Sequence, residues 1–215
     1  MPLDVFLSAL AFVFVASFTP GPNNTMLLAS GVNYGFTRTL PHILGIVIGY
    51  GVMFAALALG IGRVVAIHPQ VFDALKIASA LYLGWLAWKI ATAARPVPRA
   101  GEGQGESEGT PLTFLQAALF QWINPKGVGM GLAASANFLR PDQLAKDLPA
   151  MLALVFFMSL TSASTWALFG QGLREFLQDE TRRIWFNRIM ALALLASLWP
   201  LFSHGLSGVA VQTRG

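Results

Sequence analysis

The chain has 215 residues, 55% of them hydrophobic and only 11% charged, with a formal charge of +4. A soluble domain carries about 25% charged residues, so the composition excludes an ordinary soluble protein and points to an integral membrane one, whose scattered Lys and Arg set orientation and form no nucleic-acid patch. The absence of cysteine excludes a thiol–disulfide carrier, a haem-attachment protein and any Cys-based metal site.

The N-terminus, Met1-Pro2-Leu3-Asp4, lacks a basic region, and no small-residue cleavage site follows. It reads as a retained span and not a signal peptide. From Val5 to Thr37 there is no Asp, Glu, Lys or Arg. That run is roughly 50 Å long as continuous helix, against about 30 Å for a bilayer core. The first span is expected over about residues 3–19, with a break at Pro20-Gly21-Pro22, and it resumes to about 33. Proline lacks an N–H and clashes with the preceding turn, and glycine is permissive. Broken backbone is tolerated at membrane depth only where it is buried in protein or lines a wet cavity. In transporters such breaks form the substrate site. The bland alternative is a span ending at Thr19, followed by an interfacial turn.

Five further spans are expected at about 40–62, 70–91, 111–136, 148–170 and 184–206. All read as helices, since the strands of a barrel would alternate every second residue. Between the third and fourth lies a Gly-, Pro- and Glu-rich linker, residues 95–110, with almost nothing to bury and therefore expected to be mobile. It divides one expected domain, 1–215, into a first repeat (1–94) and a second (111–215). Pro20 is followed seven residues later by Leu27-Leu28-Ala29-Ser30, and Pro125 by Leu132-Ala133-Ala134-Ser135. Three spans per half force opposite orientations, so the expected fold is all-α, with six transmembrane helices as two inverted three-helix repeats. Counting Lys and Arg outside the spans gives eight against five, which places both termini outside the cytoplasm.

The fourth span carries its own break at Asn124-Pro125-Lys126. A charge at the centre of a membrane helix costs about 2.5–3.5 kcal/mol on insertion scales, so Lys126 should face a cavity or a partner, unless its stem snorkels to the interface. Asn23, Asn24 and Asn124 can each donate and accept. They suit a ligand's ammonium and carboxylate, or else satisfy the backbone groups that the prolines free. The candidate binding residues are therefore Pro20, Gly21, Pro22, Asn23, Asn24, Asn124, Pro125 and Lys126. The pairs Gly31/Gly35, Gly45/Gly49 and Gly127/Gly131 read as close helix packing. His42, His68 and His204 form no ligand-spaced cluster. No metallohydrolase helix, nucleophile elbow or P-loop is present, so neither an enzyme, a cofactor nor ATP-driven transport is expected.

These motifs resemble a family. Phe18-Thr19-Pro20-Gly21-Pro22-Asn23 is similar to the signature of the LysE/RhtB amino-acid exporters. Gly31, Gly35 and Gly45-x-x-x-Gly49 match that family's glycine spacing. Tyr82-Leu83-x-Trp85-Leu86-Ala87-Trp88-Lys89, Asn124-Pro125-Lys126 and Trp185-Phe186-Asn187-Arg188 resemble its third-, fourth- and sixth-span motifs. The resemblance implies a small inner-membrane exporter of amino acids or related metabolites, driven by the proton-motive force. In feel it is nearest the branch that exports cysteine, O-acetylserine, threonine or homoserine. Lysine and arginine exporters carry an acid in the second span, whereas Ile43–Gly51 here has none. Neutral substrates are therefore expected, and the proton carrier is unassigned, with Asp4 the only weak candidate. The expected partners are an amino-acid substrate and membrane lipid, with a homo-oligomer left open. The alternative function is a membrane-embedded scaffold or assembly subunit without transport.

Overall fold

The computed structural model describes residues 1–61, 69–92 and 110–199. These residues form eight α-helices joined by short turns. The expected linker lies outside the described residues except for Thr110, as do His68, His204 and the end of the sixth span beyond 199.

The first half opens with α1 (Leu3–Phe18) and α2 (Pro22–Tyr34), bent by 52° at the break between them. Thr19 precedes Pro20, which disfavours helical backbone at Thr19, and Thr19 is extended there. Its hydroxyl and its N–H both donate to the carbonyl of Val15, at 2.5 and 3.0 Å. Pro22 then starts α2 at the first helical position, where a missing N–H costs nothing. The chain turns at Gly35, whose φ of 79° is the left-handed region that favours glycine. It continues as α3 (Phe36–Ala56), a short π-helical turn (Leu57–Ile61) and α4 (Pro69–Ala91).

The second half repeats this order. A capping box at Thr113 and Gln116 opens α5 (Phe114–Ile123). It breaks at Asn124, and α6 (Pro125–Phe138) follows with proline again at its first position. A 3-10 turn (Pro141–Gln143) leads into the long α7 (Leu144–Leu173). After another 3-10 turn (Phe176–Gln178), α8 (Glu180–Ala196) begins at Asp179, whose side chain accepts from the N–H of Arg182. Pro41 is the sixth residue of α3, and Pro149 is the sixth of α7.

The two halves interlock. The main partner of α2 is α7, that of α3 is α5, and α4 packs along α8. Each half thus lays part of its broken span on the long helix of the other. Glycine makes the two crossings close. A Cβ on Gly31 would overlap the carbonyl oxygen of Ala167, and one on Gly170 that of Leu28. On α3, a Cβ on Gly45 would overlap the carbonyl oxygen of Phe114, and one on Gly49 would sit 2.5 Å from the Cα of Ala118. Apart from its ends, Asn23 and Tyr34, α2 is buried throughout. It is the centre of the bundle.

The outward surface is apolar. On α3, Leu40, Leu44, Ile48 and Val52 are all exposed at intervals of four residues, while Ile43, Ile46 and Val47 are buried. A helix apolar on both faces belongs in hydrocarbon. Among the described residues, Phe36–Ile61 and Pro141–Leu173 are long and apolar enough to cross a membrane, and the bent α1–α2 pair is apolar enough to count as a third if the two helices form one broken span. Ile77–Ala91 and Phe114–Ile123 are shorter apolar helices.

Candidate functional site

The two breaks meet. The side chain of Lys126, in the first turn of α6, reaches across to the end of α1, where its ammonium donates to the carbonyls of Thr19 (2.6 Å) and Pro20 (3.4 Å). Both carbonyls belong to the broken segment and have lost their helical partners. A cation there also faces the negative end of the α1 dipole. The stem passes so close to Gly21 that a Cβ at that position would lie 2.8 Å from the Lys126 Cδ.

The three asparagines divide the remaining backbone work. Asn24, buried, donates through Nδ2 to the carbonyls of Ser17 (2.8 Å) and Thr19 (2.9 Å). Asn124 caps α6 by accepting from the N–H of Gly127 at 3.4 Å. Asn23 pairs with Gln121 of α5: the Asn23 amide donates to the Gln121 oxygen at 2.9 Å, and the Gln121 amide donates back at 3.3 Å. The Gln121 amide also donates to the carbonyl of Ala117, and the residue is wholly buried. The sequence reading passed over Gln121. The available signal was an amide in an apolar run, three residues before Asn124. Ser79 of α4 donates to the carbonyl of Ile123, which the second break frees.

One end in this cluster has no side-chain cap. The first turn of α2, at Gly21–Asn24, receives no side-chain hydrogen bond, whereas α6 is capped by Asn124. First-turn N–H groups have no partner within the helix and carry about half a positive charge between them. They border a cleft of about 80 Å³ between the halves. A water needs about 10–15 Å³ on this measure, so the space suits a solute of a few heavy atoms. Gly21, Pro22, Asn23, Asn24, Asn124 and Lys126 line it, while Pro20 and Pro125 shape the breaks without lining it. The cleft is the seam between two apolar clusters, one containing Leu27, Ile46 and Ala163, the other Val13, Ala134 and Val155. Among the described residues lining it, Lys126 alone is charged. Asp4 is exposed in the first turn of α1 and is not among them. A cation beside N–H groups that no side chain caps is chemistry suited to a small anionic group.

The chain is 29% identical over 194 residues to a protein of Shigella flexneri serotype 5b (strain 8401) named cysteine/O-acetylserine efflux protein, covering 89% of this chain and 94% of that one. It is 28% identical over 186 residues to the protein of the same name from Escherichia coli (strain K12), covering 86% and 90%. No solved structure matches the chain. The LysE type translocator family model matches residues 14–198, an interval that contains both breaks. The chain therefore belongs to the LysE type translocator family, whose members are multi-pass membrane transporters and not enzymes.

Proposed function

We propose that the protein exports small neutral amino acids or related metabolites across the bacterial inner membrane, driven by the proton-motive force, and that the cleft between the breaks holds the substrate. The observation that carries this reading is the Lys126 ammonium beside the uncapped N-terminus of α2, in a cleft whose described lining residues include no acid. An ammonium has three donors. Two meet the carbonyls of Thr19 and Pro20, and the third is left for a substrate carboxylate. A lysine or arginine side chain would add a second cation beside Lys126 with nothing to neutralise it. The efflux proteins related to this chain are named for cysteine and O-acetylserine, both zwitterions near neutral pH.

In this reading the chain is one domain of two inverted repeats, 1–94 and 111–215, joined by the linker at 95–110, with six membrane crossings. The exchange of long helices between halves and the matching positions of Pro41 and Pro149 support the repeat. The reading is tested by reconstituting the purified protein and following labelled amino acids. O-acetylserine should move, faster under an imposed proton gradient, and lysine should not. Equal movement of lysine would remove the charge argument. No movement of any amino acid would favour a scaffold.

Orientation has its own test, because the chain has no native cysteine. With both termini outside the cytoplasm, an impermeant maleimide applied to whole cells should label Ser207→Cys, beyond the expected sixth span, and spare Ser107→Cys. Labelling of Ser107→Cys alone would reverse the topology.

A further inference from the structure

A second cavity, of about 280 Å³, lies between the C-terminal half of α2, the start of α3, the end of α4 and the start of the second half. It is larger than the cleft at the breaks, and nothing above uses it. Two of its residues are buried with unmet hydrogen-bonding capacity. His42 is 1% exposed, and neither ring nitrogen has a partner among the described residues. Asn33 is 4% exposed. Its Nδ2 donates to the carbonyl of Ala29 and to the Asn187 Oδ1, while its own Oδ1 has no partner among the described residues. A buried polar atom left unpaired costs about 1–3 kcal/mol, so such atoms in a native fold call for an unseen partner. At the rim stands Lys89, the only formally charged residue among the described residues lining the cavity, with its ammonium 4.8 Å from the centre of the Trp85 ring.

The unmet groups specify a ligand. Asn33 Oδ1 requires a donor. A neutral imidazole offers one donor and one acceptor. Lys89 attracts an anion. A zwitterionic amino acid meets all of these, its ammonium toward Asn33 Oδ1 and the bare imidazole nitrogen, its carboxylate toward the imidazole N–H and Lys89. Both cavities border α2. Asn24 in the first and Asn33 in the second are nine residues apart, about 13 Å along the helix, with Leu27, Ile43 and Ile46 buried in the core between them. We propose that this second cavity is a capture site for the same amino acid that occupies the cleft between the breaks, filled before the solute crosses the Leu27–Ile46 layer.

The proposal rests on the transport reading, and two reporters separate their failures. Thr92→Cys, at an exposed position lining the second cavity, reports that cavity, and Ser159→Cys reports the first. Purified protein is treated with maleimide, with and without saturating O-acetylserine. Labelling should slow several-fold at both positions. Adding His42→Leu should abolish protection at Thr92→Cys and spare it at Ser159→Cys, and the variant should fold, because the His42 ring makes no hydrogen bond to the described residues. Lys89→Gln, at the exposed rim, provides a second variant and should weaken protection at Thr92→Cys alone. Protection at Ser159→Cys only would overturn the capture site and leave transport standing. So would protection at Thr92→Cys that survives both substitutions, since closure driven from the first cavity would explain it. Protection at neither position would overturn the transport reading and the capture site together.

Discussion

Gly31→Ala should sharply reduce the folded protein recovered from the membrane, and Gly170→Ala should do the same. Each added methyl meets backbone, the carbonyl oxygen of Ala167 in one case and of Leu28 in the other. A flexible side chain could swing away, but a helix carbonyl cannot without moving its helix. Overpacking a close interface costs about 1–3 kcal/mol and sometimes more. Alanine returns only about 1 kcal/mol of helix propensity relative to glycine. The net should be destabilising at both positions, and the pair should not add, since both residues sit on one crossing. Gly84 and Gly129 serve as controls, because a Cβ there would meet nothing within 4 Å. Their alanine variants should be neutral or slightly more stable. Thermal unfolding in detergent, followed by loss of the monodisperse fraction, reads the difference. Equal behaviour of all four variants would mean that α2 and α7 do not cross at these glycines.

Lys126→Gln should cut the apparent affinity for transported amino acids while leaving membrane abundance near that of the unaltered protein. A hydrogen bond to a charged group contributes about 1.5–3 kcal/mol, roughly 10–150-fold in affinity. Glutamine retains two donors, which preserves part of the tie to Thr19 and Pro20. Lys126→Arg should rescue only in part. Its planar fork is larger, and the stem already runs close to Gly21. If Lys126 serves only to clamp the end of α1, the pattern inverts. Membrane abundance and stability would fall, and the protein that remains would bind substrate as before. Transport normalised to reconstituted protein separates the two.

Both breaks were legible in the sequence because their cause is local. A proline removes an N–H and biases the residue before it away from helical backbone, and the helices before Pro20-Gly21-Pro22 and Asn124-Pro125 end there as expected, although Pro41 and Pro149 stay inside theirs. Gly45 and Gly49 were legible as packing residues for the same reason of pattern. Gly35 was read as packing too, and its positive φ instead turns the chain between α2 and α3. What the pattern could not carry is which groups meet across the halves. Lys126 reaching the Thr19 carbonyl spans 107 residues, and the Asn23–Gln121 pair spans 98. Such contacts depend on the docking of helices remote in sequence. Asp147 is a second case. It was placed just outside the fifth span, and no buried acid was expected. The structure buries it completely in the first turns of α7, where Arg140 donates to both of its oxygens at 2.8 and 2.9 Å. The clue was an arginine and an aspartate bracketing Pro141, with the turn bringing them together.

The most direct test of the substrate's place compares two ligands that differ by one group. O-acetylserine has a carboxylate, and O-acetylethanolamine is the same molecule without it. Each is titrated as a competitor of labelled O-acetylserine transport in proteoliposomes, with the unaltered protein and with Lys126→Gln. If the cleft between the breaks holds the carboxylate against Lys126 and the first turn of α2, the substitution weakens O-acetylserine by roughly 10–150-fold and leaves O-acetylethanolamine nearly unchanged. An equal loss for both ligands, or no loss for either, would contradict that placement.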